Sequence, residues 1–244
     1  ITVAAVDTLV LVLNQKPYTD RTDVYDLHPP IIREPFVVSQ EGTAQNSKRL
    51  KEEDAIRSAY EATFMSEEKA IEIAEEFNLD KDELTRFVEL SKGNYDEIIG
   101  FLKKSPAMIR PLAMLLLDQV SLKDLRDTKK EILRDHLIGA DQFARQNKYS
   151  EEIFSQYILN PRVATEMLVA YREFLKGAFE FEQVQTFVKD PESIIAWIKE
   201  NIQLESHENY YETAITPVGV YRLRIADEFS TKIFAVSMLR TFGH

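Results

Sequence analysis

The chain has 244 residues, of which 44% are hydrophobic, and a formal net charge of −11 at pH 7. This composition is typical of a globular protein with an ordinary core. A negative chain without a basic stripe repels phosphate backbones, so nucleic acid is not an expected partner. The longest apolar runs, at 9–13 and 112–117, are far shorter than the roughly 18–20 residues of a membrane-spanning helix, so no span is predicted.

Residue types that bind metals or perform thiol chemistry are scarce. The sequence has no cysteine, which excludes disulfides, thiolate zinc sites, iron–sulfur clusters and thiol catalysis within this chain. The acidic run at 80–83 lacks the glycine and the glutamate of a calcium-binding loop. The glycines do not cluster into a phosphate-binding loop. The histidines are isolated in the sequence, at His28, His136, His207 and His244. We therefore predict no metal and no other cofactor.

The N-terminal part of the chain is predicted to be non-helical. Residues 1–16 are rich in β-branched side chains and partly alternate, which indicates the β remnant of an upstream domain. Residues 17–47 hold four of the nine prolines and lack helical periodicity, so an extended linker is expected. The chain begins with Ile1 and closes on a helix with a glycine stop at Gly243. We therefore expect a segment of a longer protein.

A helical domain is predicted over 48–150. Within it, apolar residues at helical spacing predict a three-helix bundle over 66–104, with Ser66 as an N-cap and Gly93-Asn94 as a helix stop. The end of this bundle is similar to that of ubiquitin-associated modules, which bind proteins. The favoured interpretation is a layer of a larger helical domain. Pro111 is expected to kink or restart the next helix, and two amphipathic helices are expected over 124–144.

The last part of the chain, 151–244, is also predicted to be largely helical. We expect a helix ended by Asn160-Pro161, a periodic helix over 163–175, and a helix that Asp190-Pro191 begins. Residues 205–226 lose the periodicity and are interpreted as a loop with a Thr216-Pro217 turn. A final apolar helix is expected over 229–242. The predicted fold class is mainly α: a multi-helix domain with a short N-terminal β segment.

Three segments carry a resemblance to a known family. They are Ile-Leu-Asn-Pro-Arg-Val-Ala-Thr-Glu at 158–166, Trp-Ile-Lys-Glu-Asn-Ile at 197–202, and Phe-Ala-Val-Ser-Met-Leu-Arg-Thr-Phe-Gly at 234–243. Together they resemble the transglutaminase-like family of the papain-like superfamily. The upstream helical region is similar to large multi-domain members from the Bacteroidetes. The resemblance implies that 151–244 begins a transglutaminase-like α+β core and that the protein is extracytoplasmic, either periplasmic or at the cell surface.

The family's catalytic residues find no counterpart in this chain. Its cysteine nucleophile lies at the start of the last helix, a position that corresponds to Glu228, or to Ala226 after a small shift. Its histidine and aspartate would lie beyond His244, so no catalytic residue is assigned. The hydroxyls of Ser230 and Ser237 lack an adjacent base. We interpret Ser230 as a helix cap and Ser237 as a small packing residue.

Three functions remain open from the sequence. The favoured one is a non-catalytic segment of an exported transglutaminase-like protein, which is structural or binds a protein or peptide, with other domains of the same parent chain as partners. Tyr210, Tyr211 and Tyr221 are the expected contact surface for peptide or glycan, and core packing is their alternative interpretation. The second function is part of an amide-bond enzyme whose catalytic residues lie elsewhere. The third is a helical interaction scaffold.

Overall fold

The computed structural model describes residues 37–146, 149–207 and 209–244. The predicted β remnant at 1–16 and the first part of the predicted linker lie outside these residues. Residues 51–244 form one compact unit. The described residues are mainly helical, which confirms the mainly α part of the predicted fold class. None of their helices is both long enough and apolar enough to cross a membrane.

The first helix begins earlier than predicted. Helix α1 spans Gln40–Glu61, so residues 40–47 are helical where an extended linker was expected. The last proline before this helix is Pro35, and the hydroxyl of Ser39 accepts a hydrogen bond from the backbone N–H of Gly42 at 3.0 Å. A serine in that position caps a helix start. None of the residues of α1 is buried.

Helices α2 to α8 enclose a first core, whose buried apolar residues lie between Ala70 and Leu159. These helices are α2 (Glu67–Phe77), α3 (Lys81–Ser91), α4 (Tyr95–Lys104), α5 (Arg110–Gln119), α6 (Leu122–Asp127), α7 (Lys130–Ala144) and α8 (Glu151–Ile153). The predicted helices of the 66–104 segment are therefore confirmed as α2, α3 and α4. The side chain of Ser66 accepts the Lys69 N–H as the predicted cap. Pro111 lies in the first turn of α5, which confirms a restart.

A π-helical turn, Phe154–Leu159, continues α8 and ends at Asn160 as predicted. The periodic helix expected over 163–175 is wrong for residues 163–171, which are irregular. The carboxylate of Glu166 accepts the backbone N–H groups of Val163 at 2.7 Å and Ala164 at 2.8 Å. These bonds satisfy donors near the start of the segment without a helix. Arg162, which is partly buried, forms an ion pair with the fully buried Asp124 of α6.

Five helices and two short strands surround a second core, whose buried apolar residues lie between Tyr171 and Phe242. They are α9 (Arg172–Gly177), α10 (Phe181–Lys189), α11 (Pro191–Asn201), β1 (Gln203–Leu204), α12 (Pro217–Leu223), β2 (Ile225–Ala226) and α13 (Glu228–Phe242). The strands pair in parallel, with Gln203 opposite Ile225. Helix α12 and strand β2 lie in the segment that was predicted as a loop, so that prediction is wrong there. The final helix and its left-handed Gly243 stop are confirmed.

A fully buried arginine joins the two cores. Arg172 Nη1 donates to the carbonyl of Arg240 at 2.8 Å, and Nη2 donates to the carbonyl of Ile158. Its Nε lies 3.3 Å from Nδ1 of His136. Because arginine only donates, Nδ1 accepts, and the other ring nitrogen of His136 donates to the Val169 carbonyl at 3.0 Å. Burial, and then the charge of Arg172, hold the pKa of His136 well below its ordinary value, so this histidine is neutral.

Candidate functional site

The residues predicted at the degenerate nucleophile position lie where strand β2 leads into helix α13. Ala226 is buried in β2, and Glu228 is the exposed first residue of α13. The Glu228 carboxylate pairs with Lys232 one turn later at 2.6 Å, and this hydrogen bond lowers the pKa of Glu228. The structure thus places Glu228 on the solvated outer surface of the helix start.

Ser230 is completely buried, and its hydroxyl has two partners. It donates to Oδ2 of Asp227 at 2.9 Å and accepts the backbone N–H of Ile215 at 2.9 Å. The helix cap is Asp227, whose Oδ1 accepts the Ser230 N–H at 2.8 Å. A nucleophilic hydroxyl needs a base to take its proton and a path for substrate. Ser230 instead fixes the segment before α12 to the start of α13.

Asp227 is the charged centre of this region. Burial alone raises the pKa of a carboxyl group, but hydrogen bonds from the Ser230 backbone, the Asn209 side chain and the Ser230 hydroxyl outweigh it, and the pKa of Asp227 lies below its ordinary value. The amide nitrogen of Asn209 donates to Asp227 Oδ2 at 2.6 Å. Asp227 is therefore an anion that anchors the 205–216 loop.

Asn209 also holds a tight turn in place. Its side chain also bonds both the N–H of Thr213, at 3.2 Å, and the carbonyl of Thr213, at 2.8 Å. The backbone N–H of Glu212 returns to the Asn209 carbonyl at 2.9 Å, and Glu212 has a left-handed φ of 49°. This clamped turn presents Tyr210 and Tyr211, each 84% exposed, with ring centroids 5.1 Å apart.

Tyr221 does not share the surface of the other two tyrosines. Its ring stacks on Trp197, and its hydroxyl donates to the Ala178 carbonyl at 2.8 Å. It also contacts Phe174 and Phe179 edge-on. Tyr221 is thus a half-buried member of the second core's aromatic cluster, as its alternative interpretation predicted, and the candidate contact surface reduces to Tyr210 and Tyr211.

A small cleft of about 130 Å³ lies next to the clamped turn. Its wall includes Ile215, Leu223 and Ala226, together with the polar side chains of Asn209 and Asp227. Leu223 and the nearby Leu204 are each about 60% exposed. The volume suits one small side chain rather than a whole substrate, because small-molecule pockets are commonly about 300–1,000 Å³.

Asp227 and Asn209 are the organising residues that sequence reasoning missed. For Asp227 a signal was present, since it lies two residues before the helix predicted over 229–242, and aspartate is a preferred capping residue at a helix start. For Asn209 there was none, because its partner Asp227 is eighteen positions away.

In the part of the chain that the structure describes, no cluster of three or more histidine, aspartate or glutamate side chains is arranged to hold a metal. No protein-family model matches the chain, and no curated protein or solved structure matches it significantly.

Proposed function

We propose that this chain is a non-catalytic, protein- or peptide-binding segment of an exported, multi-domain transglutaminase-like protein. The observation that carries the proposal is the clamped turn, where Tyr210 and Tyr211 are each 84% exposed on a backbone tied to Asp227 through Asn209. A turn whose backbone is already fixed loses little further conformational entropy when a partner covers it, and tyrosine is a frequent binding hot spot.

The side chains at the expected nucleophile position support the non-catalytic part of the proposal. The Ser230 hydroxyl is buried and engaged by Asp227 and Ile215. The Glu228 carboxylate is exposed and engaged by Lys232. Neither side chain combines an accessible attacking atom with a base beside it, which nucleophilic catalysis requires.

The family assignment and the exported location rest on the sequence resemblance. Two of the segments that carry it lie in α11 and α13, and these helices pack together, with the ring centroids of Trp197 and Phe234 6.4 Å apart. Helices that pack against one another are compatible with a single domain. Further domains of the same parent chain are among the proposed partners.

Selection of random displayed peptides on the immobilised chain tests the proposed binding. We expect an enriched peptide whose affinity, measured by isothermal titration calorimetry, falls at least about tenfold in the Tyr210→Ala/Tyr211→Ala double variant. Tyr157→Ala is the matched control, because Tyr157 is 59% exposed in the π-helical turn. All three variant sites are exposed, so thermal unfolding should stay unchanged. Equal affinity of the double variant and the wild type would contradict the assignment.

Amide chemistry provides a separate test of the non-catalytic part. The purified chain is incubated with a fluorogenic glutamine peptide and a primary amine, and we expect neither cleavage nor cross-linking. Turnover that disappears in Glu228→Gln or Ser230→Ala would show that the chain is an enzyme, whatever the outcome of the peptide selection.

A further inference from the structure

A separate and larger groove, of about 700 Å³, lies between α7 and α9. Its volume falls in the range of small-molecule sites, about 300–1,000 Å³. Part of its lining is apolar, from Ile138 and Ala170, and part is the bare backbone of Gly139. The stem of Arg172 lies directly behind Gly139, so a side chain at position 139 would have no space on that side.

Two cations, Arg134 and Lys176, line this groove. Within the described ranges of the chain, no carboxylate lies within salt-bridge distance of Arg134 or Lys176. Lys176 is half-buried, and its ammonium lies 5.7 Å from the ring centroid of Phe143. Burial, and then the charge of Arg172, lower the pKa of Lys176, while Asp135 raises it. An ammonium partly removed from water is stabilised by a counter-charge.

The three acids of the groove are differently disposed. Asp135 accepts the backbone N–H groups of Arg172 at 2.9 Å and Glu173 at 2.8 Å, so its oxygens are directed to the start of α9. Glu131 lies 3.5 Å from Lys104 and 3.9 Å from Lys130. Glu173 is exposed. Two of the acids are therefore engaged by other groups, whereas the exposed Glu173 and the cations Arg134 and Lys176 are in no ion pair with another described residue.

Beneath the groove lies a further positive charge, that of Arg172, whose guanidinium is hydrogen-bonded to neutral acceptors and whose nearby opposite charge is Asp135. The Arg172 guanidinium bonds the carbonyls of Ile158 and Arg240 and the neutral ring of His136. Its backbone, rather than its guanidinium, reaches Asp135. At the Lys176 ammonium the charge of Arg172 acts more strongly than the opposite charge of Asp135, so the electrostatic potential at this side of the groove favours an anion.

We propose that the groove between α7 and α9 binds a small organic carboxylate, with the carboxylate on Lys176 and Arg134 and the apolar body against Ile138 and Ala170. The groove is separate from the tyrosine turn, and its ligand class is an anionic head attached to a short hydrocarbon.

Nuclear magnetic resonance titration of the whole chain with hexanoate tests this inference. We expect hexanoate to shift the backbone amides of Gly139 and Ala170. The uncharged amide of the same shape, hexanamide, should bind at least about fivefold more weakly. Lys176→Met, which keeps the aliphatic stem, should weaken hexanoate by a similar factor and leave hexanamide unchanged. Lys199→Met is the matched control on the exposed side of α11 and should change neither affinity.

Several results would overturn the assignment. They are the absence of shifts at these amides up to about 20 mM hexanoate, equal affinity for hexanoate and hexanamide, or tighter binding of hexylamine than of hexanoate. If Lys176→Met does not fold, Arg134→Gln carries the same test, because Arg134 is exposed. Unchanged hexanoate affinity in Arg134→Gln would then show that the cations of the groove do not bind the carboxylate.

Discussion

Gly139→Ala should destabilise the protein, although alanine favours a helix over glycine. A Cβ at position 139 would lie 2.4 Å from Cδ of Arg172 and 2.9 Å from its Cβ. Arg172 is fully buried, and its guanidinium is held by Ile158, His136 and Arg240, so its stem cannot swing aside.

The expected magnitude follows from opposing contributions. Alanine in a helix interior gains about 1 kcal/mol over glycine. Overpacking a filled core costs about 1–3 kcal/mol, and weakening one hydrogen bond to a charged group costs about 1.5–3 kcal/mol more. The clash therefore outweighs the helix gain, and we expect a net loss of about 3 kcal/mol in the free energy of unfolding.

Urea unfolding measures this loss, followed by far-ultraviolet circular dichroism and by the fluorescence of Trp197, the single tryptophan. The midpoint should fall at an unchanged slope. Gly177→Ala is the matched control, since nothing lies within 4 Å of its Cβ position. This variant should leave the midpoint unchanged or raise it, which corresponds to a gain of up to about 1 kcal/mol in the free energy of unfolding. A Gly139→Ala variant as stable as the wild type would refute the reasoning.

Two further stability predictions concern single hydrogen-bonding groups. Ser230→Ala should cost about 2 kcal/mol, because the N–H of Ile215 loses its acceptor in the interior. Ser237→Ala should cost less than about 1 kcal/mol, since that hydroxyl only donates within its own helix, and equal urea midpoints would contradict this ranking. Hydrogen bonds from Lys130, the backbone N–H first, lower the pKa of Glu97 to about 2. Its carboxylate therefore stabilises the fold above the unfolded pKa and loses this effect as the pH falls toward about 2. Stability measured across this range should fall less steeply in Glu97→Gln, and an unchanged slope would exclude Glu97 as a contributor.

Helix starts were predictable from sequence where a capping residue preceded proline or an acidic turn. Asp190-Pro191 begins α11 as expected, and the Asp190 side chain accepts the Glu192 N–H. Thr216-Pro217 has the same signature and begins α12, where Thr216 accepts the Gly219 N–H. It was interpreted as a turn because α12 has only seven residues, too few for a periodic pattern.

Tertiary partners explain the sequence predictions that failed. Residues 163–171 have helical apolar spacing, but Glu166 takes two of their N–H groups, and Arg162 binds Asp124, 38 positions earlier in the chain. The candidate surface at Tyr210 and Tyr211 was found from residue type alone. The clamp beneath it depends on Asn209 and Asp227, which meet only in the folded chain. Nothing local to either residue indicates that meeting.

The hydrogen bonds between the two cores determine which substitutions the protein can accept there. Arg172 and Arg240 bond to main-chain carbonyls of residues 158, 160, 162 and 240. Every amino acid has the same main-chain carbonyl, so replacements at 158, 160 and 162 keep these acceptors, whereas lysine has no planar guanidinium to replace Arg172 or Arg240. As far as these hydrogen bonds are concerned, substitution should therefore be tolerated poorly at the two arginines and better at the residues that only supply a carbonyl.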